Sequence, residues 1–393
     1  MSTGETTGSA PRLRVVLAGG GTAGHVNPLL ALADELRARD AETRVAVLGT
    51  SSGLEARLVP DRGYELVTIE RVPFPRRPDA DLVRFPGRYR RAVREAGAAI
   101  AAIEADVVVG FGGYVATPAY SAARRAHVPA VVHEQNARPG LANRLGARHA
   151  AAVAVTFPGT PLHARRGSTT VTGLPLRPEV ASLVAARGQV DAALAARRAG
   201  AQELGLDPAR TTVLVTGGSL GAQAVNATIA AAAPVLVAAG AQVLHLTGTG
   251  KADAVQAALD AHAPEVRSAY HVRPYLAEME RAYACADLVV ARAGAGTVSE
   301  VAALGIGAVY VPLPVGNGEQ RLNAAPIVDG GGGLLVADAD FTPDWVADRV
   351  VPLLIDSSAL TAMGAAARAA GVPDGAARLA DVVTAVALAG RSR

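Results

Sequence analysis

The residues best suited to chemistry lie where short apolar runs end. Gly19-Gly20-Gly21-Thr22-Ala23-Gly24-His25 follows the run 12–18. Glycines there let the backbone bend and a ligand approach, and a helix opening behind them offers free N–H groups to an anion. His25 closes the loop, at a helix N-terminus whose dipole lowers an imidazole's pKa and keeps it neutral, able to accept a proton. His133-Glu134-Gln135-Asn136 supplies a rival base in Glu134, although His133 equally fits the end of a buried strand. Gly110-Phe111-Gly112-Gly113-Tyr114 is a second glycine turn, and Gly217-Gly218-Ser219-Leu220-Gly221-Ala222 a third. The N–H groups and Ser219 hydroxyl of the third suit a diphosphate. Any one of these loops fits a plain strand-to-helix turn; their recurrence favours a phosphate-bearing ligand.

Ala293-Gly294-Ala295-Gly296-Thr297-Val298-Ser299-Glu300 also follows an apolar run. Its small residues let a nucleoside approach the backbone. Glu300, three residues after Thr297, fits a capping box and equally a carboxylate that accepts both ribose hydroxyls. Gln320 and Asn323 share one face of a helix's first turn, which suits either solvent or a sugar's hydroxyls. Arg177 stands among the prolines of Gly173-Leu174-Pro175-Leu176-Arg177-Pro178, as a surface arginine or as a fixed clamp on a leaving diphosphate. Asp79-Ala80-Asp81 and Asp338-Ala339-Asp340 are Asp-x-Asp triplets, but neither directly follows an apolar strand beside a glycine loop. With no His/Asp cluster at metal spacing, neither a metal nor another cofactor is expected. There is no Gly-x-Ser-x-Gly elbow, Walker lysine motif or kinase signature.

These loops need strands and helices to aim them. Strand patterns fall at 12–18, 43–48, 64–70, 106–110, 129–133, 150–155 and 168–172, then at 211–216, 241–247, 266–271, 287–291, 307–312 and 333–337. Helix patterns fall between them, at 28–39, 88–104, 115–126, 139–148, 222–238, 252–261, 276–284, 296–304, 320–329, 343–354 and 358–370. The alternation predicts an α/β chain of two doubly wound parallel sheets, with the loops after each strand gathered along one edge. Residues 1–11 read as a polar tail without a signal peptide's apolar stretch. The first domain spans 12–175 and the second 176–374. A helix over the last segment, 375–393, is expected to pack back on the first domain.

The chain's 393 residues, half of them hydrophobic, suffice for two cores. Lys+Arg 38 against Asp+Glu 35 gives net +3, too balanced for nucleic acid to be the main partner. The single cysteine, Cys285, excludes an internal disulfide and fits a reducing cytoplasm. No apolar stretch is long and continuous enough to span a bilayer. Between 71 and 94, Arg71, Arg76, Arg77, Arg84, Arg88, Arg90, Arg91 and Arg94 surround Phe74, Leu82, Val83, Phe85 and Tyr89. That mixture fits a solvated loop and helix, or peripheral contact with an anionic membrane.

Taken in order, Gly-Gly-Gly-Thr-Ala-Gly-His-Val-x-Pro, Gly-Phe-Gly-Gly-Tyr, His-Glu-Gln-Asn, Gly-Gly-Ser-x-Gly-Ala, Arg-Ala-Gly-Ala-x-Thr-Val-Ser-Glu and Glu-Gln-Arg-Leu-Asn-Ala resemble the MurG family. These are bacterial peptidoglycan N-acetylglucosaminyltransferases, and the resemblance covers roughly 12–370. It implies a GT-B fold, two Rossmann-like domains facing across a cleft. It also implies metal-free, inverting transfer of N-acetylglucosamine from UDP-N-acetylglucosamine to the muramoyl 4-hydroxyl of lipid I, forming lipid II. Carried over, Ser219, Arg177, Leu276, Ala295, Gly296, Thr297, Glu300 and Gln320 would hold the UDP-sugar. Leu276 would meet the uracil through its backbone, Glu300 the ribose, and Gln320 with Asn323 the sugar hydroxyls. Thr22, Ala23, Gly24 and Asn136 would reach the donor sugar from the other domain. His25, Tyr114, Glu134 and Asn143 would line the acceptor side, with His25 preferred as base and Glu134 as rival. Phe74, Leu82, Arg84, Phe85 and Arg88 would lie on the cytoplasmic face of the cell membrane. Cell-wall synthesis or division proteins would complete the partner set.

The sequence departs from the family pattern in three places. Leu174 replaces an asparagine in the hinge, Gly318-Glu319-Gln320 replaces Asp-His-Gln, and Gly296 replaces a bulkier residue. Three other activities share the pattern's chemistry: transfer to another lipid or soluble acceptor, UDP-sugar epimerisation, and non-catalytic sensing of a nucleotide sugar.

Overall fold

The computed structural model describes residues 12–74, 80–218 and 222–391. Among these, thirteen strands form two parallel sheets. The first holds β1 (Arg14–Ala18), β2 (Arg44–Gly49), β3 (Glu65–Thr68), β4 (Val107–Gly110), β5 (Ala130–Glu134), β6 (Ala152–Val155) and β7 (Ser168–Val171), in the order β3-β2-β1-β4-β5-β6-β7. The second holds β8 (Thr212–Thr216), β9 (Gln242–Leu246), β10 (Tyr270–Arg273), β11 (Leu288–Ala291), β12 (Gly307–Tyr310) and β13 (Gly333–Leu335), in the order β10-β9-β8-β11-β12-β13. The central strands are valine-rich and buried on both faces, as helices on either side of a parallel sheet require. Each sheet reverses its winding at its centre, between β1 and β4 and between β8 and β11. The loops at those carboxyl ends flank a crevice.

In the first domain the helices are α1 (Ala23–Arg39), α2 (Glu55–Asp61), α3 (Ala80–Ala102), α4 (Gly113–Arg125) and α5 (Leu141–Gly146). After the crossing at 172–177 come α6 (Pro178–Ala186) and α7 (Val190–Leu204), which pack on the second domain's α12 (Met279–Cys285). Also in the second domain are α8 (Gln223–Ala231), α9 (Ala233–Ala238), α10 (Ala252–Asp260), α11 (Pro264–Ser268), α13 (Ala295–Leu304), α14 (Glu319–Asp329), α15 (Pro343–Arg349), α16 (Val351–Ile355) and α17 (Ser357–Ala370). The chain then recrosses, and α18 (Gly375–Arg391) lies against α1 in the first domain. Leu379, Ala380, Val383 and Ala387 are fully buried there with Val15, Leu17 and Leu36. Arg391 bonds to Asp106 and pins the helix's end. The two crossings touch: a Cβ on Gly173 would stand 2.6 Å from Val372, and one on Gly375 would stand 2.5 Å from the Leu174 carbonyl.

The structure corrects several sequence expectations. The strand expected at 266–271 is a helix, α11, followed by β10, because Pro264 opens a helical turn that runs to Ser268. The helix expected at 222–238 is two helices, with Pro234 in the first turn of the second; Pro352 likewise opens α16. Helix α2 has no counterpart among the sequence expectations. Its seven residues are too short for a periodic signal.

Candidate active site between the two sheets

The carboxyl ends of both sheets open onto one cavity of about 1110 Å³. Loops after β1, β4 and β5 form one wall, and loops after β8, β9, β10, β11 and β12 the other.

On the first wall, Thr22, Ala23 and Gly24 are exposed at the N-terminus of α1, and His25 is half-buried behind them. The His25 Nδ1 lies 3.0 Å from the Thr22 hydroxyl. Burial lowers the His25 pKa; the Gly20 carbonyl and the Glu55 carboxylate oppose this without reversing it. The imidazole is therefore neutral at neutral pH. A Cβ on Gly112 would stand 3.3 Å from His25 Nε2, and Gly112 has φ +94°, so glycine there keeps the space beside this nitrogen open. A Cβ on Gly113 would stand 2.7 Å from the Gly20 carbonyl, so the first two glycine loops abut. Tyr114 is exposed at the rim, with the Arg71 guanidinium 4.8 Å over its ring.

Glu134 and Asn143 are buried and turned inward. Glu134 accepts from the N–H groups of Asn136 (3.0 Å) and Gly140 (2.9 Å) and from Asn143 Nδ2 (3.0 Å). Burial raises the Glu134 pKa, against the pull of these donors. Asn143 also donates to the His133 carbonyl and accepts from the Tyr120 hydroxyl. The pair frames the loop 134–143. Fully buried His133 ties that loop to the hinge: its Nε2 lies 3.1 Å from the Gly173 carbonyl and its Nδ1 lies 3.0 Å from Gln135 Nε2. Burial pushes its pKa down to about 4.

On the second wall, Ala295, Gly296 and Thr297 form the open first turn of α13. The N-cap is Gly294, so the capping box expected from Thr297 and Glu300 does not form. Glu300 instead accepts from Arg177 Nε at 2.9 Å and from the buried Tyr283 hydroxyl at 3.0 Å. Burial works against the Arg177 charge, but Glu300 outweighs it and the pKa is raised. Leu276 is half-buried on this wall, and a Cβ on Gly296 would meet nothing within 4 Å. Gln320 accepts from the Leu313 N–H at 2.9 Å. That leaves its amide NH₂ for the cavity.

Asn323, expected beside Gln320 on the sugar, is fully buried and does not line the cavity. Its Oδ1 accepts from the Ala137 N–H (2.8 Å), and its Nδ2 donates to Asn136 Oδ1 (3.3 Å) and the Ala293 carbonyl (3.2 Å). It is a clasp between the domains, because a residue three positions along α14 faces the other wall rather than the opening. Asn136 is half-buried at the same junction.

Ser219 lies outside the described residues, as does Asp79. Asp338 of the second Asp-x-Asp triplet pairs with Arg292. Among the described residues no three His, Cys, Asp or Glu side chains gather as a metal site. Phe74 lines the cavity and stacks toward Phe85 (5.4 Å), which stacks on Tyr89 (5.7 Å). Leu82, Val83 and Arg84 are exposed early in α3, whereas Arg88 is tied to Glu70 and the Arg71 carbonyl. The sequence reading missed Glu55 and Tyr283: one sits in a short unsignalled helix, the other reads as plain core.

Two family models match the chain: the glycosyltransferase family 28 N-terminal domain over residues 15–155, and the family 28 C-terminal domain over 212–379. The chain is 57% identical, over 94% of its length and 95% of the relative's, to the UDP-N-acetylglucosamine–N-acetylmuramyl-(pentapeptide) pyrophosphoryl-undecaprenol N-acetylglucosamine transferase of Clavibacter michiganensis subsp. michiganensis. A relative of the same name from Frankia casuarinae is 52% identical over 94% of each chain. The chain belongs to the MurG family. The crystal structure of Acinetobacter baumannii MurG superposes with a TM-score of 0.73 at 29% identity, covering 95% of this chain and all of that one. The fold is thus the GT-B fold of MurG, and the family's members are hexosyltransferases. The UDP-GlcNAc 2-epimerase of Neisseria meningitidis shares the fold alone, at a TM-score of 0.68 and 11% identity, with 96% of this chain and all of that one covered.

Proposed function

We propose that this chain transfers N-acetylglucosamine from UDP-N-acetylglucosamine to the muramoyl 4-hydroxyl of undecaprenyl-diphospho-N-acetylmuramoyl-pentapeptide (lipid I), with inversion, forming lipid II for peptidoglycan. The supporting observation is one cavity with a nucleotide-sugar wall and a facing wall that carries a neutral histidine, in a chain 57% identical to a transferase of that name. The donor lies on the second wall: Glu300 takes the ribose, Gln320 the sugar, the Leu276 backbone the uracil, and Arg177 and the α13 N-terminus the diphosphate. Arg177 and Glu300 are paired now, so the donor must part or share that pair. Ser219 belongs to the same wall by sequence. The acceptor lies along His25, Tyr114 and the first two glycine loops.

His25 Nε2 takes the proton of the acceptor hydroxyl as its oxygen attacks the anomeric carbon. The bond from that carbon to the phosphate oxygen breaks, and UDP leaves with the electron pair. Preorganised donors facing that charge are worth ~3 kcal/mol each. UDP release from UDP-N-acetylglucosamine, measured with and without a lipid I analogue and with product identification, tests the reading. Acceptor-dependent release with a disaccharide product is expected. Acceptor-independent consumption, as by an epimerase, or binding without release would overturn it.

The protein works at the cytoplasmic face of the membrane. The support is Leu82 and Val83, exposed beside Arg84, next to the aromatic stack that leads into the cavity. Arg88 ties α3 to the segment after β3, donating to Glu70 and to the Arg71 carbonyl. Cell-wall synthesis or division proteins would meet the enzyme there. Replacing Leu82 and Val83 by glutamate should abolish cosedimentation with vesicles containing phosphatidylglycerol while sparing binding of soluble donor; retained cosedimentation would refute the membrane assignment.

A further inference from the structure

The first glycine loop already holds an anion, and the anion is internal. Glu55, the first residue of α2, is fully buried beneath the loop. Its Oε2 accepts from the Gly21 N–H at 2.9 Å, and its Oε1 accepts from the N–H (2.9 Å) and hydroxyl (2.7 Å) of Thr50. A Cβ on Gly20, Gly49 or Gly53 would collide with this side chain. Glycines from the loops after β1 and β2 thus wrap around one carboxylate. In a dinucleotide site the acid after the second strand reaches outward to a ribose. Here it turns inward and takes the N–H that the loop would offer a phosphate.

We propose that Glu55 is a positioning residue for the reaction: it fixes the Gly20–Thr22 turn that presents His25, and it keeps a negative charge behind the imidazole as that ring takes up the acceptor's proton. The reading rests on His25 as the base. Three residues separate Gly21, which Glu55 holds, from His25, and Thr22 among them bonds the ring. Burial works against the Glu55 charge, but the Gly21 and Thr50 donors outweigh it, so the carboxylate stays ionised. The cavity wall that holds the ring also carries Glu134, the last residue of β5, and Tyr114 on α4. Glu134 is spent on its own loop, and Tyr114 is at the rim. A buried fixed charge favours the imidazolium that forms during proton transfer.

Full-length Glu55→Gln, Glu55→Asp and His25→Ala variants test this. The His25 ring is titrated by NMR without substrates, its signal assigned by loss in His25→Ala, and kcat and KM for UDP-N-acetylglucosamine are followed across pH. Glu55→Gln should lower kcat about tenfold or more. Its donor KM should stay within about twofold, because the donor wall is in the other domain. His25 should then titrate about half a unit or more lower, with the acid limb of kcat following it down. Glu55→Asp keeps the charge but not the reach, so it should lose kcat while leaving the titration near wild type. An unmoved His25 titration in Glu55→Gln overturns the electrostatic part, and wild-type kcat in both variants overturns the positioning. If His25→Ala turns over normally while Glu55→Gln still shifts the ring, the base assignment fails and the coupling stands. If Glu55→Gln does not fold, judged by circular dichroism, full kcat in Glu55→Asp remains decisive against the proposal.

Discussion

His25 lines the cavity with only its Nδ1 bonded to a side chain, that of Thr22, whereas Glu134 spends its carboxylate on three donors of its own loop. Sequence alone left both as candidate bases, since each follows a strand at the same edge. Hydrogen-bond satisfaction separates them, and satisfaction is invisible in a motif. His25→Ala should lower kcat by roughly 10²–10⁴, the usual worth of a positioned base. Because burial lowers the His25 pKa from 6.5, the acid limb of kcat/KM in the wild type should lie below pH 6.5. A limb above that value would assign the proton elsewhere. Tyr283 acts through Glu300, whose second oxygen it holds at 3.0 Å. Tyr283→Phe removes that hydrogen bond at little change in volume, a loss of about 1 kcal/mol. The donor KM should rise about fivefold with kcat nearly kept; an unchanged KM would mean that Arg177 alone orients the carboxylate.

At the scale of elements, the alternation of apolar runs and amphipathic stretches made both sheets legible, because a parallel strand buried on two faces must be continuously apolar. It could not reveal α2, whose seven residues carry the Glu55 carboxylate, nor the exchange of helix for strand around 264–273. Short segments there are decided by one proline or one buried acid, below the resolution of periodicity. Two strands also carry a buried neutral histidine as their penultimate residue: His133 on β5, pushed down to about 4, and His245 on β9, pushed down to about 3. Both values lie below the unfolded value of about 6.5, so between these limits the unfolded chain binds protons that the native one does not. Stability should therefore fall as pH drops from about 6.5 toward 4, by up to about 1.4 kcal/mol per pH unit for each histidine. Urea denaturation at stepwise pH checks this, and His245→Gln should flatten the slope if the variant folds. A pH-independent midpoint over that range would contradict the assignment.

Across the whole molecule, Asn323 makes two of the polar contacts that hold the two walls in one relation among the described residues. Its amide reaches Ala137 and Asn136 on the acceptor side while keeping the Ala293 carbonyl on its own side. Beside it, Arg138 bonds to the Asn317 carbonyl across the same gap. Asn323 therefore links the helix that carries Gln320 to the loop that Glu134 frames, so closure of the cavity and alignment of the two substrates are one event. Asn323→Ala removes its own two interdomain bonds and leaves the Ala137 N–H and Ala293 carbonyl without them, a cost of about 1–3 kcal/mol if they stay buried. Opening the cleft to water relieves that cost, so the open form should gain population. The radius of gyration from small-angle scattering should increase, and kcat should fall by about tenfold or more as the base and the anomeric carbon lose their alignment. The thermal midpoint should change little, because the two cores are untouched. The converse pattern, a lowered midpoint with unchanged scattering and kcat, would make Asn323 a packing residue instead of the clasp that closes the enzyme.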